Sequence, residues 1–331
     1  MKKFFYRQLL GSMALFLSSG VLNSACTDDS WDFSKRTEPV TPITAVYIEV
    51  NDVNPLNALC YTMNGKPFFN YVILFAANIN RTADGKAELA YKGGKLERAL
   101  TETVKPLQEK GVKVLMSILG NHTGLGFANL TDEQVEDFAT QITEVVEKYN
   151  LDGVDFDDEY AEYGTNGCMP ANATSYANLI SVVRAKLPEE KLITVFDVDT
   201  GNSKTLPTAA DCVDYAWSEQ YGQFKGHCRF GLSNRQFCGY SQKLDIPFVA
   251  TDTYTIKSNI KLCMQSYMGA LLFYDLRKTP EVREDPTKYD WDPNKYYTLT
   301  TEDIRLILNR TAERAFNATV EVTDETDFYE W

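Results

Sequence analysis

From Ile43 onward, short and nearly continuous apolar runs alternate with longer segments whose apolar positions recur every three or four residues. The short runs predict strands at "ITAVYIEV" (43–50), "NYVILFAANI" (70–79), "VKVLMSILG" (112–120), "LDGVDFDDEY" (151–160), "KLITVFDVD" (191–199), "DYAWSEQY" (214–221), "PFVATDTY" (247–254) and "GALLFYDL" (269–276). Parallel strands covered on both faces need this kind of apolar continuity. Between them the 3.6-residue period predicts helices over "KLERALTETVKPLQEKG" and "TDEQVEDFATQITEVVEKYN", and a last one over about 301–316. The second opens on Thr131 with acids in its first turn and puts Val135, Phe138, Ile142, Val145 and Val146 on one stripe. Eight strands with mainly helical crossovers predict an α/β fold, a single-domain (β/α)8 barrel spanning 43–331. A doubly wound sheet would want a glycine-rich phosphate turn after the first strand, and "EVNDVNPLN" supplies none.

Ahead of the barrel, "MKKFFYRQLLGSMALFLSSGVLNSAC" runs from a basic start through a broken apolar stretch to small residues before Cys26. This order predicts a cleaved export signal over 1–25 rather than a membrane span. Cys26, directly after Ser24 and Ala25, looks like a bacterial lipoprotein site, although Asn23 stands where leucine is usual. "CTDDS" resembles the acidic tag of surface-exposed lipoproteins, so the expected location is the bacterial outer membrane, lipid-anchored at the cell surface. Residues 26–42, polar and with two prolines, read as a tether.

With 331 residues, 44% of them hydrophobic, the chain can fill one large core. Its formal net charge of -13 disfavours phosphate backbones, and no basic stripe with interleaved aromatics occurs, so nucleic acid is an unexpected partner. An uncharged glycan would not be repelled. No C-x-x-C pair is present and only two histidines occur, His122 and His227, so neither a zinc site nor any other metal or cofactor is expected. Serine-hydrolase and zinc-peptidase chemistry lack their motifs, G-x-S-x-G and H-E-x-x-H. An exported chain permits disulfides among Cys60, Cys168, Cys212, Cys228, Cys238 and Cys263, but buried thiols fit a domain of this size equally well.

The fourth strand run carries the chemistry. "LDGVDFDDEY" holds Asp152, Asp155, Asp157, Asp158 and Glu159, interleaved with the core-type residues Leu151, Val154 and Phe156. Asp155, Asp157 and Glu159 are spaced i, i+2, i+4, which turns all three toward the barrel interior and leaves Glu159 at the C-terminal rim. Crowded carboxylates raise one another's proton affinity, the property a general acid needs. The bland alternatives are a solvated acidic loop or a calcium loop. The apolar alternation opposes the first, and Val154 together with the missing glycine at the sixth position opposes the second.

"DGVDFDDE" is similar to the D-G-x-D-x-D-x-E signature of glycoside hydrolase family 18. "VLMSILGNHTGLGFANL", "YNLDGVDFDDEYAEYGTNG" and "DYAWSEQYG" resemble segments of its endo-β-N-acetylglucosaminidases of the endoglycosidase H type. The resemblance covers about residues 43–222 and then thins. It implies cleavage of the GlcNAc-GlcNAc core of N-linked glycans, with N-linked glycan or glycoprotein as the substrate; a monomer is expected. It also implies substrate-assisted chemistry: Glu159 protonates the glycosidic oxygen, Asp157 orients the 2-acetamido group and shares a proton with Asp155, and Tyr221 donates to the acetamide oxygen. The proton-sharing ladder is then expected to keep Glu159 protonated.

Asp155, Asn121, Trp217, Gln220, Tyr274 and Trp291 are the substrate-binding candidates. Trp217 is assigned to sugar stacking at the rim over barrel filling, and Tyr274 to either. His122 is as readily a structural hydrogen-bonding group as a sugar ligand, and Cys168 is read as structural. After Gly222, "QFKGHCRFGLSNRQFCGYSQ" (223–242) reads as a long loop, and residues 277–303 as an aromatic insertion that selects among glycans through Tyr289, Trp291, Tyr296 and Tyr297. Two other functions stay open: a chitinase of the same family, and a non-catalytic glycan-capture lipoprotein. The presence of both Glu159 and Asp157 weighs against the latter.

Overall fold

The computed structural model describes residues 41–198, 203–246, 253–284, 292, 295–323 and 328–331. Strand one is Ile43–Glu49, two Tyr71–Arg81, three Lys113–Leu119, four Gly153–Asp157, five Leu192–Asp197, six Tyr215–Ser218 and eight Ala270–Tyr274. Neighbours pair in parallel from one through six, and strand one also pairs with strand eight.

The seventh position departs from the sequence reading. It is filled by Phe237–Cys238, paired with strand six, and Ser241–Lys243, paired with strand eight. Between the two pieces the Gly239 carbonyl turns to the backbone amide of Lys225 at 2.7 Å instead of staying in the ladder. The segment 223–242, expected as a loop, therefore ends as a barrel strand. Of the expected strand 247–254, residues 247–252 lie outside the described residues and Thr253 opens the helix Thr253–Gln265. With the split strand in place the sheet closes into a (β/α)8-type barrel.

Alternation along each strand divides the interior in two. Ala45, Tyr47, Ile73, Leu115, Trp217 and Leu272 fill the barrel lumen. Val46, Ile48, Val72, Met116, Val154 and Phe156 face outward into the larger core beneath the helices. The helix Asp132–Lys148 starts at the expected place: Thr131 accepts from the Gln134 amide, and the Gln134 side chain accepts from the Thr131 amide. Its apolar stripe, Val135, Phe138, Ile142, Val145 and Val146, is buried.

The helix expected over 95–111 is two helices, Lys95–Glu102 and Val104–Glu109. Pro106 has no amide to give the carbonyl of Glu102 and clashes with it, so the first helix stops there. Helices also follow strand four (Ser175–Lys186) and close the chain (Thr301–Ala315). After strand five the crossover is a 3-10 segment, Ser203–Cys212. A hairpin, Glu281–Glu284 with Tyr296–Leu299, follows strand eight on the C-terminal face. No helix among the described residues is long and apolar enough to cross a membrane.

Candidate active site

The five carboxylates of the fourth strand part company according to depth and face. Asp152, at the base, accepts from the Val114 amide and the Gln108 side chain, both at 2.8 Å. Gly153 follows because strand five passes so close that a Cβ there would lie 2.2 Å from the Leu192 carbonyl oxygen. Asp158 points away from the lumen, where the Tyr163 hydroxyl donates to it. Only Asp155, Asp157 and Glu159 look inward and up.

Asp155 is fully buried, and both its oxygens are filled. Tyr47 and Ser117 donate to Oδ2 at 2.8 Å each; Thr194 at 2.5 Å and the Trp217 indole at 2.9 Å donate to Oδ1. Strand register explains the meeting: Ser117, Asp155 and Thr194 are direct neighbours across strands three, four and five. Burial raises the Asp155 carboxyl above its ordinary value, and the four donors oppose that rise.

Asp157, one step higher, is almost as buried, yet its Oδ1 has no hydrogen-bond partner. Burial pushes its carboxyl well above the usual carboxylate range, and the charges of Glu159, Asp155 and Asp158 push the same way. The expected hydrogen bond between Asp157 and Asp155 is not formed, because Tyr47, Ser117, Thr194 and Trp217 already occupy the lower carboxylate. Within the ladder, then, Asp157 is the carboxyl pushed furthest toward its protonated form.

Glu159 lies two residues beyond the last of strand four, partly buried, on the wall of a cavity of about 430 Å³. Asp157, Tyr47, Phe196, Tyr221, Tyr274 and Phe75 line it too. The floor is aromatic: Tyr47 meets Phe75 and Phe196 edge-on at 5.7 and 6.2 Å, and Tyr221 meets Tyr274 at 5.6 Å. Such a floor offers an apolar surface to a sugar ring, and the carboxyls and phenols offer it hydrogen bonds. Burial raises the Glu159 carboxyl first and Glu219 raises it second. The sequence reading traced its acidity to the ladder; the structure traces it to burial and to Glu219, just past the end of strand six.

The remaining candidates are only partly brought together. Tyr221 and Tyr274 line the cavity; the Tyr274 hydroxyl donates to Glu49 at 2.6 Å, and the Lys243 ammonium lies 5.5 Å from the Tyr221 ring centre. Trp217 corrects the stacking assignment. It is 0% exposed, stacks on Tyr215 within the lumen and spends its N–H on Asp155, so no sugar face can reach it.

Asn121 and Gln220 are exposed outside the cavity wall; the Asn121 amide donates to Asn80 at 2.9 Å. His122 pairs with Glu162 at 2.7 Å behind Tyr160, a structural role. Tyr296 is exposed on the hairpin, but Tyr297 is partly buried and donates to the Asp245 carbonyl. Tyr289, Trp291 and Cys26 lie outside the described residues. The six other cysteines are free thiols, which settles the choice left open by the sequence.

Sequence reasoning missed Glu49 and Glu219, which both line the cavity. Glu49 was legible as an acid ending the apolar run of strand one, two places beyond Tyr47. Glu219 sits in "SEQYG", beside the chosen Tyr221, but nothing local marks it as facing Glu159.

Fold and pocket together define a parallel barrel whose acid-bearing fourth strand opens into a carboxyl- and tyrosine-lined site at its C-terminal rim. Residues 29–270 match the profile of Glycosyl hydrolases family 18. An endo-beta-N-acetylglucosaminidase of Flavobacterium sp. (strain SK1022) is 42% identical over 199 residues, 58% of this chain and 62% of that protein. Endo-beta-N-acetylglucosaminidase F1 of Elizabethkingia meningoseptica is 34% identical over 257 residues, 68% of this chain and 75% of that one. Two structures of Bacteroides thetaiotaomicron EndoBT-3987, with Man5GlcNAc product and with Man9GlcNAc2Asn substrate, superpose at TM-score 0.65 with 26% identity. They cover 89% of this chain and 64% and 70% of theirs. The chain belongs to glycosyl hydrolase family 18. Its match spans 62% of the length of the Flavobacterium relative, less than two thirds.

Proposed function

We propose that the protein is an endo-β-N-acetylglucosaminidase that hydrolyses the β-1,4 bond between the two GlcNAc residues of an N-glycan core, with retention. The observation that carries this is the joint presence, in one cavity, of a partly buried Glu159 and a buried Asp157, both with carboxyls raised above their ordinary values, and of Tyr221. The names of the Flavobacterium and Elizabethkingia relatives point the same way.

No second carboxylate needs to act as nucleophile in this scheme. Glu159 gives its proton to the glycosidic oxygen, while the acetamide oxygen of the substrate attacks C1 from within the same sugar. Ring closure inside a bound substrate gains effective molarity, so the site has only to position and polarise. Asp157, protonated, offers a hydrogen bond to the acetamide, and Tyr221 reaches the same group. Glu159, now ionised, takes a proton from the water that opens the oxazolinium.

Mass spectrometry of products from ribonuclease B and from a complex-type glycoprotein tests the reading. The expected product is a glycan ending in one GlcNAc, with the other left on asparagine. Glu159→Gln should lower release by roughly 10²–10⁴-fold while glycan binding persists. Cleavage of chitin oligomers with no action on glycoprotein would favour the chitinase instead. Near-normal turnover in Glu159→Gln would sink the assignment of the acid.

Export and lipid anchoring at Cys26 complete the proposal, supported by the order of basic, apolar and small residues and by the acidic "TDDS". Detergent-phase partitioning of wild type and Cys26→Ala checks it, and a wild-type protein found free in the periplasm would contradict it.

A further inference from the structure

We propose that Glu219 is a positioning residue that holds the proton on Glu159, and that Arg229 and Lys225, from the loop after strand six, hold Glu219 in place at the cavity wall. This rests on the reading of Glu159 as the general acid.

The geometry is a quartet of charges beside the pocket. Arg229 Nη2 bonds Glu219 Oε1, and the Lys225 ammonium lies 4.0 Å from the same oxygen. Both cations are fixed from behind by Asp197, the last residue of strand five. Lys225 Nζ donates to its Oδ2 at 2.8 Å, the Arg229 amide donates to Oδ2 at 3.1 Å, and the Arg229 guanidinium donates to the Asp197 carbonyl. Asp197 is 0% exposed and the Lys225 side chain 9%. Two acids and two bases this deep cost more desolvation than apolar filling would, so stability alone is a poor reason for them. Their one outlet to the cavity is Glu219, which lines the wall together with Glu159.

An anion there favours the protonated form of Glu159, because the charge acts through a partly buried medium rather than bulk water. The direction agrees with the upward push that Glu219 exerts on Glu159. The other groups facing Glu159 do not supply the same control. Asp157, on its own strand, is pushed toward its own protonated form by burial. Glu49 and Tyr47 come from strand one, and Tyr274 from strand eight holds Glu49 by a hydrogen bond. Tyr160 and Tyr221 are neutral phenols, and the Lys243 ammonium stands over the Tyr221 and Tyr274 rings at 5.5 and 5.7 Å. Arg229 and Lys225 fix the Glu219 side chain at the wall and partly cancel its field on Glu159.

Charge-changing variants therefore move the acid in opposite directions. With a dansylated high-mannose GlcNAc2-Asn glycopeptide, the alkaline limb of kcat/KM reports proton loss from Glu159 in the free enzyme. Glu219→Gln removes the anion, so the limb should fall by about half a pH unit or more. Arg229→Gln uncovers the anion, so the limb should rise, and Arg229→Lys, which keeps the charge, should restore it. A role confined to folding the loop would lower activity without moving the limb in opposite senses.

In parallel, the Glu159 carboxyl can be followed by 13C NMR in glutamate-labelled protein, assigned by its loss in Glu159→Gln; this needs no turnover. Opposite shifts of that titration in Glu219→Gln and Arg229→Gln support the proposal even if the glycopeptide is not cleaved, in which case it is the glycosidase reading that fails. An unmoved titration, or shifts of the same sign in both variants, overturns the proposal even in a fully active enzyme.

Discussion

Gly120 lies against the backbone that carries Glu159. Its amide donates to the Glu159 carbonyl at 2.9 Å, and a Cβ on it would stand 2.6 Å from that oxygen and 2.3 Å from the Ala161 amide nitrogen. Two further bonds continue the clasp, His122 N–H to the Tyr160 carbonyl at 2.7 Å and Gly124 N–H to the Ala161 carbonyl at 2.9 Å. The loop after strand three thus sets the height and direction of the acid above the barrel.

Gly120→Ala should therefore act on catalysis through Glu159. The added methyl meets backbone on two sides and forces residues 159–161 outward. A displacement of about 1 Å at an acid costs on the order of 10²-fold in rate, so kcat should fall by that amount with a smaller change in KM. Steady-state kinetics on released glycan, with circular dichroism to confirm the fold, checks it. Unchanged kcat in a folded variant would show the clasp to be slack.

Asp157→Asn keeps an amide donor beneath the substrate but loses the titrating carboxyl. Forming the oxazoline should slow by about 10²-fold or more, because the acetamide is no longer polarised as charge develops. Use of a preformed glycan oxazoline should survive better. Comparing hydrolysis of glycopeptide with transfer from the oxazoline in one variant measures the split. Loss of both activities to the same degree would contradict the assigned role.

Trp217→Phe takes one of four donors from Asp155 while leaving most of the lumen filled. Removing a hydrogen bond to a buried charged group costs about 1–3 kcal/mol, to be read as a lowered urea midpoint. Trp217→Ala should cost about 3–5 kcal/mol, since a cavity is added. If Trp217 were a sugar platform, the Phe variant would instead keep its stability and lose affinity for glycan.

Asp275 links stability to pH. It is nearly buried, bonded to Arg277 at 2.6 Å and 3.8 Å from Arg283, and burial outweighs both cations, raising its carboxyl to about 6 from an ordinary 3.8. The folded chain holds this proton more tightly than the unfolded chain does. The resulting stabilisation is fully present below about pH 4 and is lost as pH rises through about 6. Asp275→Asn should remove that dependence. Urea melts from pH 4 to 7 should show the wild-type advantage shrinking across the window by roughly 2–3 kcal/mol; a constant difference would refute the assignment.

Periodicity and spacing determined a good deal. Alternating apolar runs gave seven of the barrel strands, the capping residues fixed where the helix Asp132–Lys148 begins, and the i, i+2, i+4 spacing turned Asp155, Asp157 and Glu159 to one side. These are local properties, because a strand's side chains must alternate and a helix start must find acceptors for its free amides.

The seventh strand escaped because it is two short pieces interrupted at Gly239 and Tyr240, with no apolar run to announce it. Barrel closure, not local preference, recruits it. Trp217 and Glu219 lie two residues apart in the chain, yet one ends in the lumen on Asp155 and the other on the cavity wall with Glu159. Which inward residue is floor and which is rim depends on the register between strands. Whether a carboxyl keeps its proton depends on which donors and charges that register brings within reach. Sequence supplied the acids and the face they share; only the closed barrel decided that Asp155 is saturated, that Asp157 is left with an unpartnered oxygen, and that Glu219, just past strand six, lines the same cavity as Glu159.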